Sequence, residues 1–245
     1  MDMRLDFTGR TALVVGGSSG IGNGIALAFR TAGADVHVWG TRPSAADYAG
    51  EEGADLEGLA YDRVDVSDAD AVAAAARGFS RLDILVLSQG TVLYDRAEFA
   101  IEGFRKVVEV NLNSLMACAA AFHDLLAAAR GSLIIVSSTA AFHATRGNPA
   151  YNASKTGAYG LTRTLGQAWA GDGIRVNGIA PGFVDTKLTR VTTGNPRRLE
   201  QTLRQIPVGR LGTPADMGHV ALFLASPMAG YVVGQTISVD GGLVL

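Results

Sequence analysis

Thr11-Ala-Leu-Val-Val-Gly-Gly-Ser-Ser-Gly-Ile-Gly22 is the stretch whose reading decides the fold. Its first five residues are apolar or β-branched with no polar alternation, the pattern of a strand buried on both faces. Glycines then take over, where the backbone must turn sharply and leave room for a close approach. From residue 21 to 32 the apolar side chains Ile25, Leu27, Ala28 and Phe29 recur at helical spacing, and Gly33 is placed to close the helix. A buried strand, a tight turn and an amphipathic helix form one β-α unit.

The same rhythm runs to the end of the chain. The pattern predicts further strands at 35–40, 82–87, 132–137, 174–180 and 235–239, and another whose end is 62–66. It predicts helices at 68–77 with Ser67 as N-cap, at 99–129 with a kink near Asn111, at 151–170 and at 215–225. Strands alternating with helices through short connections make an α/β fold, a parallel sheet of seven strands with helices on both faces. There is no linker, repeat or low-complexity tract, so residues 1–245 are expected to form a single domain. The stretch 185–214 breaks the rhythm and is expected to be irregular, a lid over a site.

Composition narrows the function. With 48% hydrophobic and 18% charged residues the chain can build a large core. Net charge is −2, from 21 basic and 23 acidic side chains, which leaves no footprint for nucleic acid or a membrane surface. The lone Cys118 cannot form an internal disulfide, and one cysteine with 4 histidines gives no metal-ligand cluster. A reducing, cytoplasmic setting is expected, with Cys118 as a buried small hydrophobe. Residues 1–7 carry no signal-peptide core, and no apolar run reaches the ~18 residues of a membrane span. Only Lys106, Lys155 and Lys187 are lysines, so the position of each carries weight.

The glycine turn sits where a phosphate site is built. The helix that follows offers unpaired N–H groups and the positive end of its dipole to a pyrophosphate. Gly16, Gly20 and Gly22 give a G-x-x-x-G-x-G spacing, with Ser18, Ser19 and Ile21 between them. The choice of dinucleotide rests on the tip of the second strand. An NAD site usually has an acid there for the ribose 2′-hydroxyl. Here Thr41 and Arg42 stand at the tip, a pair suited to a 2′-phosphate. NADP(H) is the expected cofactor and NAD(H) the alternative.

Tyr151-Asn-Ala-Ser-Lys155 places a phenol and an ammonium on one helical face. A nearby cation lowers a phenol's pKa from about 10 and equips it to exchange a proton with an alcohol or carbonyl. Ser138 ends the fifth strand, on the edge where open α/β sheets bind ligands. With these residues in place, the chain resembles the single-domain short-chain dehydrogenase/reductases over nearly its whole length. The resemblance implies a doubly wound Rossmann fold and hydride transfer between a nicotinamide and a secondary alcohol or ketone. It implies Tyr151 as general acid–base, Lys155 on the nicotinamide ribose, Ser138 on the substrate oxygen and Asn111 as anchor of a relay water. Asp65 and Val66 match the adenine pocket, Gly90 the turn after the fourth strand, and Pro181, Gly182, Val184 and Thr186 the nicotinamide cradle. The motifs around Gly234 and Gly242 imply a homotetramer.

Two motifs depart from the family pattern. Val15 stands where the family has threonine, and Leu87-Ser-Gln-Gly90 replaces its Asn-Asn-Ala-Gly. Ser88 and Gln89 are expected to take over the bracing of the sheet and adenosine ribose. The substrate, a small carbonyl or alcohol, is expected against Tyr94, Ala140, Phe142, His143 and Phe183, an apolar wall. A 3-oxoacyl thioester reductase is the narrower alternative. Arg130 is then a candidate rim cation, although Asp172 is acidic where such relatives often have arginine. A dinucleotide-binding sensor without turnover is the third reading.

Overall fold

The structure is a computed structural model that describes residues 5–245. Residues 1–4, part of the stretch examined for a signal peptide, lie outside the described residues. Seven strands form one sheet: β1 (Thr11–Val15), β2 (Asp35–Gly40), β3 (Ala60–Arg63), β4 (Ile84–Leu87), β5 (Ser132–Val136), β6 (Arg175–Pro181) and β7 (Thr236–Val239). Their order is β3-β2-β1-β4-β5-β6-β7 and every pairing is parallel. The order reverses between β1 and β4, which opens a crevice beyond their carboxyl ends.

The apolar strands serve two cores at once. Leu13, Val15, Leu85, Leu87, Leu133 and Ile135 face one side, packed on Leu115, Phe122 and Leu126. The alternate residues Ala12, Val14, Ile84, Val86, Ile134 and Val136 face the other, against Ile25, Phe29, Met217 and Leu224. Period-two alternation with no polar residue on either face makes the strands insensitive to which side is covered. Cys118 is fully buried in the first of these cores, and burial pushes its thiol up to about 12.

The helices are α1 (Gly20–Thr31), α2 (Ala69–Ala76), α3 (Ile101–Val108), α4 (Ser114–Ala121), α5 (His123–Ala129), α6 (Pro149–Trp169), α7 (Arg190–Thr193), α8 (Pro196–Gln205) and α9 (Pro214–Ala225). Among the described residues no single helix is long and apolar enough to cross a membrane.

Several local expectations need correction. β3 ends at Arg63, so Asp65 and Val66 lie in the turn beyond it. The cap of α2 is Asp68, whose carboxylate accepts the N–H groups of Asp70 and Ala71. Ser67 instead gives its N–H and hydroxyl to Asp65. The expected helix over 99–129 is three helices. Residues Glu109–Asn113 form a π-turn around Asn111, and the chain bends by 55° between Ala121 and His123. Phe122, at that bend, is buried against Trp39 and Phe79 at 5.6 and 5.3 Å, and this packing outweighs continuation of the helix. The stretch 185–214 is largely helical, carrying a 3-10 turn at Lys187–Thr189 followed by α7 and α8. Between β2 and β3 no α-helix forms. The connection holds only the 3-10 turn Ala45–Tyr48.

Helices α1 and α9 cross where glycines permit it. A Cβ at Gly24 would lie 2.3 Å from Cβ of Pro214, and one at Gly218 would lie 2.8 Å from Cβ of Ala28. Gly24→Val must push the helices apart. We expect a loss of about 2 kcal/mol, read in calorimetry as a fall of roughly 5 °C in melting temperature.

Candidate active site

Ser138 leaves the end of β5 and caps the 3-10 turn Thr139–Ala141, its Oγ accepting the Ala140 N–H at 3.1 Å. The neighbouring Ser137 donates to the Lys155 carbonyl at 2.8 Å, which fastens α6 to the tip of β5. Helix α6 opens with Pro149, a good first residue because it lacks an N–H that would need a partner. Its Asn148 cap makes no side-chain bond to the first turn. The acceptor comes from elsewhere. Glu98, 1% exposed, receives the Tyr151 N–H at 2.9 Å on Oε2 and the Leu93 N–H at 3.0 Å on Oε1. The Asn148 amide reaches the same Oε1 at 3.3 Å. Glu98 thus supplies negative charge to a helix N-terminus across the fold. Nothing in the local sequence marks it, because its burial is a tertiary outcome.

Lys155 is 5% exposed, and its Nζ donates to the Val136 carbonyl at 3.0 Å. Among the described residues no carboxylate compensates the ammonium, and burial pulls its pKa down to about 8. The nitrogen lies 5.8 Å from the centroid of the Tyr151 ring. The phenol is half-buried and its pKa is raised, first by burial, then by the charges of Tyr94 and Glu98, while contact with Ser138 pulls it down. Lowering by Lys155, expected from the spacing, is absent in this arrangement, since the ammonium is turned to a backbone carbonyl.

Asn111 is fully buried in the π-turn. Its Oδ1 accepts the Thr91 N–H at 2.7 Å, and its Nδ2 donates to the Thr91 carbonyl at 2.9 Å and to Ser154 Oγ at 3.2 Å. Both amide hydrogens are therefore used, and only the second lone pair of Oδ1 is left for a water. A Cβ at Gly90 would lie 3.5 Å from Lys155 Nζ and 3.7 Å from Asn111 Oδ1, which places the turn after β4 beside both side chains. Ser138, Tyr151, Lys155, Asn111 and Gly90 converge at the carboxyl ends of β4 and β5.

The glycine turn has the shape of an anion cradle. Gly16 and Gly20 have φ of +75° and +56°, and a Cβ at Gly16 would lie 2.8 Å from the Gln89 backbone. A Cβ at Gly22 would lie 2.2 Å from the Gly16 carbonyl oxygen. Ser19 caps α1 with no side-chain bond, which leaves the Ile21 and Gly22 N–H groups for a ligand oxygen. Ser18 is buried beneath the tip of β2, its hydroxyl 2.8 Å from where a Gly40 Cβ would stand. Thr186 lies across the cleft, its methyl 3.4 Å from where a Gly20 Cβ would be. These residues fit a nicotinamide dinucleotide.

Other expected residues take particular places. Val66 and Val184 bury their side chains in the cores and have only backbone to offer. Asp65 is exposed with one oxygen held by Ser67, which keeps its carboxyl below the usual range. Gly182 packs against Asp240 directly after Pro181. Thr41 is exposed, and Arg42 pairs with Glu51 and lies over the Tyr48 ring at 4.3 Å. Gln89 does not face the cleft. Its amide donates to Ser114 Oγ at 3.0 Å and braces β4 against α4.

On the substrate side, Tyr94 donates its hydroxyl to the Leu188 carbonyl at 2.7 Å, joining the loop after β4 to the 185–214 stretch. Ala140 is buried beside Ser138, and Phe183 is half-buried. The Phe142 ring is engaged by Tyr159 at 5.3 Å, and the exposed His143 ring meets only the Ala144 carbonyl. Arg130 precedes β5, at the end of the sheet opposite Ser138, and lines a cavity with Arg10, Asp83 and Arg175. It is not at the rim of this site. Asp172 is paired with His123 at 3.1 Å.

Two outcomes follow from these contacts. Lys155→Met removes a buried uncompensated charge, so the ligand-free variant should melt higher than the parent at pH 7. A depressed lysine pKa makes the folded state bind fewer protons than the unfolded one between about 8 and the ordinary 10.5. The parent's stability should therefore rise across that window and the gap to Lys155→Met should close. Glu98→Ala leaves the Tyr151 and Leu93 N–H groups without an acceptor. It should cost about 1–3 kcal/mol in denaturant unfolding.

Comparison with known proteins agrees with this geometry. Residues 15–244 match the family model described as enoyl-(acyl carrier protein) reductase. The chain is 38% identical to the 2-dehydro-3-deoxy-D-gluconate 5-dehydrogenase of Bacillus subtilis, over 96% of this chain and 94% of that one. It is 37% identical to the 3-oxoacyl-[acyl-carrier-protein] reductase of Chlamydia pneumoniae, over 98% and 99%. The crystal structure of a gluconate 5-dehydrogenase from Burkholderia cenocepacia, in complex with NADP and tartrate, superposes with a TM-score of 0.88 at 29% identity, covering 98% of this chain and 97% of that one. With a seven-stranded parallel sheet, a glycine cradle at its switch point and a Ser-Tyr-Lys cluster beside it, the chain belongs to the short-chain dehydrogenase/reductase family.

Proposed function

We propose that the protein is an NADP(H)-preferring oxidoreductase that interconverts a secondary alcohol and a ketone. The observation that carries this reading is the convergence of Ser138, Tyr151 and Lys155 beside a glycine cradle with open N–H donors. A nicotinamide dinucleotide, when bound, gives or takes the hydride. The side chains do the rest. Gly16, Ser18, Ser19, Gly20, Ile21 and Gly22 hold the phosphates. Asp65 and Val66 receive the adenine, and Gly90, Pro181, Gly182, Val184 and Thr186 surround the nicotinamide end. Ser138 orients the substrate oxygen. Tyr151 moves the proton on that oxygen, and Lys155 holds the nicotinamide ribose. Asn111 fixes Thr91 and accepts a relay water on its remaining lone pair.

In the ligand-free protein the phenol is raised and the lysine lowered, both by burial. A ribose hydroxyl drawn to Lys155 would turn the ammonium from the Val136 carbonyl toward the phenol, which lowers the tyrosine as proton exchange requires. The stretch 185–214 acts as a lid, tied down by the Tyr94–Leu188 bond. Relatives named for sugar-acid chemistry and for 3-oxoacyl thioesters are both at hand. We favour a small hydroxy or keto substrate, because Arg130 lies at the far end of the sheet and Asp172 is held by His123. The single buried thiol is consistent with a cytoplasmic setting. The open edge at β7, with Val208, Met228 and Tyr231 exposed, supports assembly into a homotetramer.

The test is nicotinamide absorbance with NADPH and NADH against sugar-derived ketones and 3-oxo thioesters. Turnover with NADPH should exceed that with NADH. Tyr151→Phe should lower turnover by at least about a hundredfold while NADPH still binds. Unchanged turnover in that variant would refute the mechanism, and a silent panel with intact NADPH binding would favour a sensor.

A further inference from the structure

The connection between β2 and β3 does more than replace a helix. Its own acceptors occupy the donors of the adenosine end of the cleft. The Tyr48 hydroxyl accepts the N–H groups of Thr41 and Arg42, each at 3.3 Å. The Gly53 carbonyl accepts the Gly20 N–H at 2.8 Å, at the head of α1. Glu51 pairs with the Arg42 guanidinium on one oxygen and with Lys187 Nζ, 3.0 Å away, on the other. The Glu51 side chain is only 19% exposed. Lys187 first and Arg42 next hold its carboxyl below the usual range. The neighbouring Glu52 pairs with Arg190 at 2.6 Å. The segment is anchored by Asn23, whose side chain bonds both the N–H and the carbonyl of Asp55.

We propose that Glu51 is an internal competitor for a 2′-phosphate, holding Arg42 and Lys187 in the free protein and so setting the choice between NADP and NAD. The proposal rests on the reading of Arg42 as the 2′-phosphate partner. Two cations sharing one carboxylate leave a surplus positive charge, which still attracts a phosphate. A phosphate carrying about −1.5 to −2 charges cannot settle there with the Glu51 carboxylate in place, because like charges repel at that range. Glu51 must swing out, and the lost pairs are subtracted from NADP affinity alone. NAD has a hydroxyl at that position and makes no such demand. Because Lys187 comes from the 185–214 stretch, the same displacement frees one tie between that stretch and the β2–β3 connection.

The measurement is calorimetric titration of the ligand-free protein with adenosine 2′,5′-bisphosphate, NADP⁺ and NAD⁺. Glu51→Gln should tighten the bisphosphate and NADP⁺ by about fivefold, the scale of a partly exposed ion pair, and leave NAD⁺ within twofold. Glu52→Gln changes charge equally but frees only Arg190, and should alter none of the three. The gain should shrink as salt is raised. Equal shifts for NADP⁺ and NAD⁺, or weakening of NAD⁺ alone, overturn the proposal. The latter would make Glu51 a ribose-hydroxyl acceptor. Arg42→Ala separates the two levels of argument. If it leaves bisphosphate affinity unchanged, the cofactor reading falls and the competition with it. If it weakens the bisphosphate while Glu51→Gln gains nothing, only the competition is overturned.

Discussion

An ammonium buried with no carboxylate beside it among the described residues is the constraint around which this site is organised. Lys155 is held by one backbone carbonyl, Val136, at the last residue of a central strand. That bond and the Ser137–Lys155 bond tie α6 to the rim of the sheet. Gly90 lies opposite, where a Cβ would stand in ordinary van der Waals contact with Nζ at 3.5 Å. A buried charge of this kind is tolerated where it is used, and its cost keeps the lysine ready to change protonation or partner.

The second constraint is the N-terminus of α6. A helix starting at proline with a non-capping asparagine needs an acceptor, and Glu98 provides it from another loop. One buried carboxylate thereby fixes the loop after β4, the cap residue Asn148 and the backbone of Tyr151. It also places negative charge near the phenol, which opposes ionisation until a cation approaches. Position and proton affinity are set by the same contact.

On the adenosine side the logic is reversed. There the N–H groups of Gly20, Thr41 and Arg42 are satisfied by the chain's own acceptors, and the ion pairs Glu51–Lys187 and Glu52–Arg190 join two segments that flank the cleft. Around Lys155 and Asn111 the side chains are buried. The cleft beside Arg42 is instead joined by ion pairs between partly exposed side chains, each weak on its own.

The sequence by itself determined the sheet, its parallel sense and the place of the candidate site, because unbroken apolar strands admit no other burial and the residues proposed for function fall at strand ends. Ser138, Tyr151 and Lys155 were legible from spacing, and the glycine turn from its position after β1. Element ends were less legible. β3 ended early, and the 99–129 stretch broke at Phe122, because the burial of one ring against Trp39 and Phe79 outweighed helix continuity. Tertiary structure alone decided where Lys155 points, that Glu98 is buried, that Gln89 turns into the core, that Arg130 lies far from the site and that Glu51 meets Arg42. The reason is physical. Periodicity reports which face of an element is apolar, whereas hydrogen bonds between residues far apart in the chain depend on how elements pack, and no local pattern records them.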